Sequence, residues 1–206
     1  MATTTTHYGF DIPQSTDLVK DGATAIATLG QDIDTAMNTA LGTKKSGLVL
    51  LNTTSFSGVS SQSINDVFNA TYENYLIVFD TVLSTSIANL TLRLRVSGTD
   101  ASAANYNYIT SNKTGSSNPA ATSSSQTSIN VALVNDTYPN PGFIYLFAPF
   151  LARPTGLISR QTSTYSTVYS RLVEGHHTLS TSYTGYTLTI DGGTVSGKVS
   201  TYGYNL

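Results

Sequence analysis

The chain predicts a mainly β fold: a jelly-roll-like β-sandwich preceded by an N-terminal extended arm and one amphipathic helix. From Gly47 onwards apolar residues recur with a period of two. The clearest case is "NLTLRLRVSG", where Leu90, Leu92, Leu94 and Val96 alternate with Thr91, Arg93, Arg95 and Ser97. Roughly eight to ten such short runs, separated by turn residues, continue to the C-terminus, the spacing of a sandwich, with an up-and-down barrel as the alternative. Only Ser15–Met37, "STDLVKDGATAIATLGQDIDTAM", breaks the pattern with apolar residues at intervals of three and four.

At 206 residues and 39% hydrophobic content, the chain has the length and core of one large domain, or of one domain plus an appendage. We divide it into residues 1–46, arm and helix, and residues 47–206, the β-sandwich head. Charged residues make up only 11%. Ser and Thr, more than roughly a quarter of the chain, supply the polarity instead. A net charge of −2 and ten scattered Lys and Arg offer no basic face, so neither nucleic acid nor a membrane surface is an expected partner. No apolar run reaches the ~20 residues of a membrane span. The start, "MATTTTHYGFDIP", lacks the features of a signal peptide, so synthesis in a cytoplasm without export is expected. There are no cysteines, hence no disulfides, thiolate metal sites or cysteine nucleophiles.

Along residues 1–14 the threonine run and Pro13 favour an extended arm. Ser15, Thr16 or Asp17 can cap the helix that follows, and Gly42 can end it, with Lys44 and Lys45 at its negative end. Its apolar stripe is Ile26, Leu29, Ile33, Met37 and Leu41. Gly22 and Gly30 weaken it by ~1 kcal/mol each relative to alanine, so it needs a surface to pack on. "GLVLLNTTSFSG" opens the first strand, and Ile64–Phe68 suits another. Tyr75–Phe79 and Phe143–Leu151 are continuous apolar runs, which suit strands covered on both faces. Residues 100–128 read as a long polar surface loop around a short Tyr106–Ile109 strand. Strands are expected at Ile129–Val134, Thr162–Val173 and His177–Tyr183. Tyr186–Ile190 and Val195–Tyr202 flank Asp191-Gly192-Gly193-Thr194, a hairpin signal.

Chemistry-bearing patterns are sparse. No paired carboxylates, Gly-x-Ser-x-Gly elbow or phosphate-cradling glycine loop appears, so we expect no enzyme, no catalytic residues and no cofactor. His176 and His177 are strand neighbours on opposite faces and cannot chelate one metal together, so a solvated pair at a strand start is expected and no metal site. Arg93 and Arg95 share a face, suiting solvent or a subunit contact. Tyr106, Tyr108, Asn112, Tyr138, Tyr165 and Tyr169 lie near polar loops, where rings and amides contact glycans or proteins, with core and rim packing the other role open to each tyrosine.

The opening "GFDIPQSTDLVKDGATAIATLGQDIDTAM" followed by "SGLVLLNTTSFSGVSSQSI" resembles a diffuse family of tailed-bacteriophage virion proteins. The middle "YLIVFDTVLSTSIANLTLRLRVSGTDASAANYNY" and the closing "VSGKVSTYGYN" are similar to the same family, so the resemblance spans nearly the whole chain. It implies a homotrimer on the virion surface, made in a host bacterial cytoplasm. The helix stripe would pack on sister helices or on the particle, and residues 1–14 would dock. Two functions follow as expectations. One is a trimeric short tail fibre or receptor-binding protein attached to tail or baseplate, with loops around residues 99–128, 135–142 and 160–170 on host-surface carbohydrate. The other is a capsid decoration protein (cement or head-spike) seated on the major capsid protein at local threefold positions.

Overall fold

The computed structural model describes residues 3–6, 9–12, 18–41, 47–135, 138–163 and 169–204, and the chain divides into two compact units between Ser46 and Gly47. In the first unit β1 (Thr3–Thr4) pairs antiparallel with β2 (Asp11–Ile12). Thr5 N donates to Phe10 O and Phe10 N to Thr5 Oγ1, both at 2.9 Å, while Gly9 takes φ +68°. The described part of the expected extended arm is therefore a small hairpin. A threonine hydroxyl and a left-handed glycine close the turn that the threonine-rich composition hides.

Helix α1 (Val19–Leu41) follows. Thr28 and Thr39 donate their hydroxyls back to the carbonyls of Thr24 and Thr35, at 3.0 and 2.9 Å, which satisfies the polar face locally. On the apolar stripe Ile26, Ile33 and Met37 remain 66%, 40% and 55% exposed, and Leu29 is half-buried. The expected caps at 15–17 and 42–45 and the Leu41 side chain lie outside the described residues.

The second unit runs β3 (Val49–Val59), β4 (Ser61–Ile64), β5 (Asn74–Ser84), β6 (Ala88–Val96), β7 (Thr99–Asp100), β8 (Tyr106–Thr114), β9 (Ala120–Gln126), β10 (Ile129–Val134), β11 (Gly142–Phe147), β12 (Thr155–Ser163), β13 (Tyr169–His177), β14 (Gly185–Ile190) and β15 (Val195–Tyr204). They form two antiparallel sheets: a long one ordered β3-β15-β5-β11-β12-β13-β8-β9 and a short one ordered β10-β6-β14-β4, with β7 on β6. Within this order lies a nested pairing, first strand with last: β3 with β15, β4 with β14, β5 with β11, β6 with β10. Rolling that ribbon brings β15 onto β5 and β14 onto β6. This is the jelly-roll sandwich. Two insertions, β8–β9 and β12–β13, prolong the long sheet beyond β11.

The core lies between the sheets. Tyr75, Ile77 and Phe79 of β5 and Ile144 and Leu146 of β11 supply the long-sheet side; Leu90, Leu92 and Leu94 of β6 supply the other, all 0–1% exposed. Each large side chain so buried contributes about 1.5–3 kcal/mol. The short sheet ends at β10, whose edge would expose unpaired backbone groups. Side chains of β12 close it. Gln161 accepts from Leu133 N (2.9 Å) and donates to Leu133 O (2.6 Å), and Ser159 donates to Val131 O (2.8 Å).

Several sequence expectations change. The Asp191–Thr194 turn exists but joins no hairpin, because β14 and β15 belong to different sheets. Asp191 instead accepts both the backbone and side-chain N–H of Asn89 (2.7 and 2.8 Å), and Thr194 N donates to Thr85 Oγ1, so the turn arches between layers. The supposed polar loop over 100–128 is largely a β8–β9 hairpin on the long-sheet edge, held by backbone bonds that need no apolar side chains. β4 stops at Ile64, before Asp66 enters the left-handed region at φ +54°, and Phe68 plugs the core from a loop. The run from Phe143 breaks after Phe147, where Ala148 takes φ +57°. The strands expected at Thr162–Val173 and His177–Tyr183 are instead the facing ends of the β12–β13 pair and an irregular segment after His177.

Candidate ligand-contact surfaces

Strand β8 alternates over its first five residues, where Tyr106, Tyr108 and Thr110 are buried and the residues between them are not. Tyr106, 0% exposed, accepts a hydrogen bond from Leu94 N (3.0 Å) and donates one to Ala101 O (2.8 Å). Burial pushes its phenol well above the ordinary tyrosine range. Tyr108 is also buried. Both are core residues and do not face a ligand, a correction that follows from β8 belonging to the extended sheet rather than to a loop. Tyr138 is 41% exposed and its N–H donates to Asn135 Oδ1 at 3.0 Å. Tyr165 lies outside the described residues.

Asn112 and Tyr169 do come together. Tyr169 OH donates to Asn112 Oδ1 at 2.7 Å, and Arg171 Nε donates to the same oxygen at 2.9 Å. Arg171, 7% exposed, also donates from Nη1 to Asn89 Oδ1 (2.9 Å). Asn89 in turn donates to Asp191, so the buried guanidinium is linked to a carboxylate through an amide. A 130 Å³ cavity lies beside this cluster, lined by Thr114, Tyr169, Ser163 and Asn135 with Ile87 and Leu133. These groups largely satisfy one another, which suits them to holding the end of the sandwich in shape.

The strand-end histidines part company: His176 is exposed and His177 is 1% exposed, so the pair expected in solvent is half core. It stands at the end of β13 rather than at a strand start. Arg95 pairs with Asp100 within the chain and Arg93 donates to Thr127 O (3.1 Å), so both have internal work. Among the described residues no three His, Asp or Glu are placed to hold a metal. No described helix is long and apolar enough to cross a membrane.

A further recess is one the sequence did not indicate. It lies on the outer face of the long sheet, away from the short one, with a volume of about 770 Å³. The pairing register sets one row across it: Leu50, Tyr202, Leu76, Tyr145 and Ile158 are successive cross-strand neighbours. Val78 and Phe143 are paired in the next row. Along β11, Phe143, Tyr145 and Phe147 point the same way, with ring centroids 5.3 and 6.4 Å apart. Tyr204 meets Tyr145 edge-on at 6.2 Å, and burial raises its phenol pKa. Asp80, Lys198, Ser200, Arg160 and Thr162 border this apolar floor. The available signal was the apolar runs of β5 and β11. They suggested cover on both faces; the sandwich covers one, and leaves Val78, Phe143 and Tyr145 only half-buried.

No protein-family model, curated protein or solved structure matches the chain.

Proposed function

We propose that the chain is a virion surface protein of a tailed bacteriophage, a trimeric short tail fibre or receptor-binding protein whose β head contacts host-surface glycan. The supporting observation is the apolar stripe of α1. Ile26, Ile33 and Met37 stand 40–66% exposed on a 23-residue helix in a unit of its own. A single helix with two glycines is marginal in water, and side chains of this kind contribute about 1.5–3 kcal/mol each once covered. Spacing of three and four along the stripe is that of helices packing on sister helices. A capsid decoration role is the second reading. It is favoured by the short distance along the chain from Leu41 to Val49, which leaves no room for a fibre shaft.

Light scattering on the full chain tests the helix. We expect three times the monomer mass of 21.8 kDa, falling to the monomer value in an Ile26→Asp, Ile33→Asp, Met37→Asp triple variant. A monomeric parent chain would remove the trimer. Gold-labelled antibody on intact virions then separates the two positions: label at the tail tip supports the adhesin, label over the head supports decoration. Absence of label from both would end the virion reading.

A further inference from the structure

Jelly-roll packing leaves the outer row of the long sheet unexplained. Leu76 faces outward yet is only 8% exposed, because it lies directly opposite Tyr202 on one side and Tyr145 on the other. The rings wall a recess rather than form a flat patch. Its volume falls within the range of about 300–1,000 Å³ typical of small-molecule clefts. Exposed apolar surface of this kind marks a binding face.

The border decides what kind of ligand fits. Lys198 and Asp80 are direct cross-strand partners at one end, and Arg160 flanks Phe143 at the other. Serine and threonine hydroxyls, Ser200 and Thr162, complete it. Charges of both signs with hydroxyls offer donors and acceptors together and little net charge. That complements a neutral, polyhydroxylated molecule. It suits a strongly charged ligand poorly. A pyranose has a C–H face that covers an aromatic ring and a rim of hydroxyls that needs such a border. Phe143 and Tyr145 line the recess two residues apart on β11, with centroids 5.3 Å apart and rings set edge-on, so the apolar wall runs along the strand and an extended chain of sugars matches it better than a single one.

We propose that this outer-sheet groove, floored by Leu76, Val78, Phe143, Tyr145 and Tyr202, is an oligosaccharide-binding site, and that Asp80 and Lys198 bond the sugar hydroxyls. It takes from the proposed function the contact with host glycan, and moves that contact from the loops to the sheet face.

The test applies full-length chain to an array of defined linear oligosaccharides built from neutral and amino hexoses. Wild type should be retained on some members. Tyr145→Ala should weaken retention by about tenfold or more, as should Asp80→Asn, whose exposed carboxylate leaves the fold intact. Leu179→Ala, outside the groove, should bind as wild type does. Retention of no member by wild type, or unchanged retention in both Tyr145→Ala and Asp80→Asn, would overturn the site. So would conversion of an oligomer to monomers by Tyr145→Ala, which would make the face a contact between copies. Label on virions without array retention would remove the groove alone. Array retention without label would remove the virion role and leave the groove.

Discussion

His177 shows how one residue couples the head to pH. Its ring sits 4.4 Å from that of Tyr106 and 5.2 Å from that of Tyr183, with Nδ1 3.3 Å from the Tyr183 hydroxyl and Nε2 without a partner. Burial disfavours the imidazolium and holds its pKa below the usual value; a backbone contact at Leu179 opposes this in part. Above about pH 6.5 neither the folded nor the unfolded state is protonated there, so the residue has no pH effect. As pH falls below about 6.5 the unfolded chain binds a proton that the folded chain refuses, and stability drops until the depressed folded pKa is reached. Urea unfolding at falling pH should show that loss, and His177→Phe should flatten it. An equal slope in both proteins would place the titration elsewhere.

Among elements, β14 carries the tightest constraint. Gly185 pairs with Arg95, and a Cβ there would lie 2.2 Å from the Ile64 carbonyl oxygen and 3.1 Å from Asn65 Cα. Both obstacles are backbone, so neither can swing aside. Gly185→Ala should cost about 3 kcal/mol by forcing the β4 end away from β14, measured as a lower urea midpoint. A cost below about 0.5 kcal/mol would show that the chain after Ile64 yields freely. The β8–β9 hairpin behaves differently. Its edge strand "AATSSSQ" buries nothing, and backbone pairing to β8 positions it. An edge of small and polar residues, with no large apolar side chain, resists unwanted strand addition.

At the scale of the molecule, the two units divide the labour. Among the described residues, every buried hydrophobic side chain belongs to the head, between Phe56 and Val199. A fragment spanning Gly47–Leu206 should therefore melt within about 2 °C of the full chain while losing self-association and attachment to particles. A drop beyond about 5 °C would show that the arm and helix hold the head together. A fragment that still decorates virions would remove the docking role proposed for α1.

What the sequence determined by itself was local. The period of two in "NLTLRLRV" put Leu90, Leu92 and Leu94 inward, and the three-and-four spacing after Val19 made a helix. These follow from side-chain direction, which the backbone sets residue by residue. Partner choice was not local. Nothing in "TIDGGTVSGKV" says that the turn carries the chain from one sheet to the other, since that depends on Asp191 meeting Asn89, 102 positions away. Nor could polar β9 be seen, because backbone pairing leaves no mark in composition. The contact residues divide the same way. Asn112 and Tyr169 read as separate loop residues in the sequence, and only folding joins them, directly and with Arg171 on the same amide oxygen. The groove of Phe143, Tyr145 and Tyr202 exists because cross-strand register aligned residues from β5, β11 and β15 on one face, and register is set by tertiary packing.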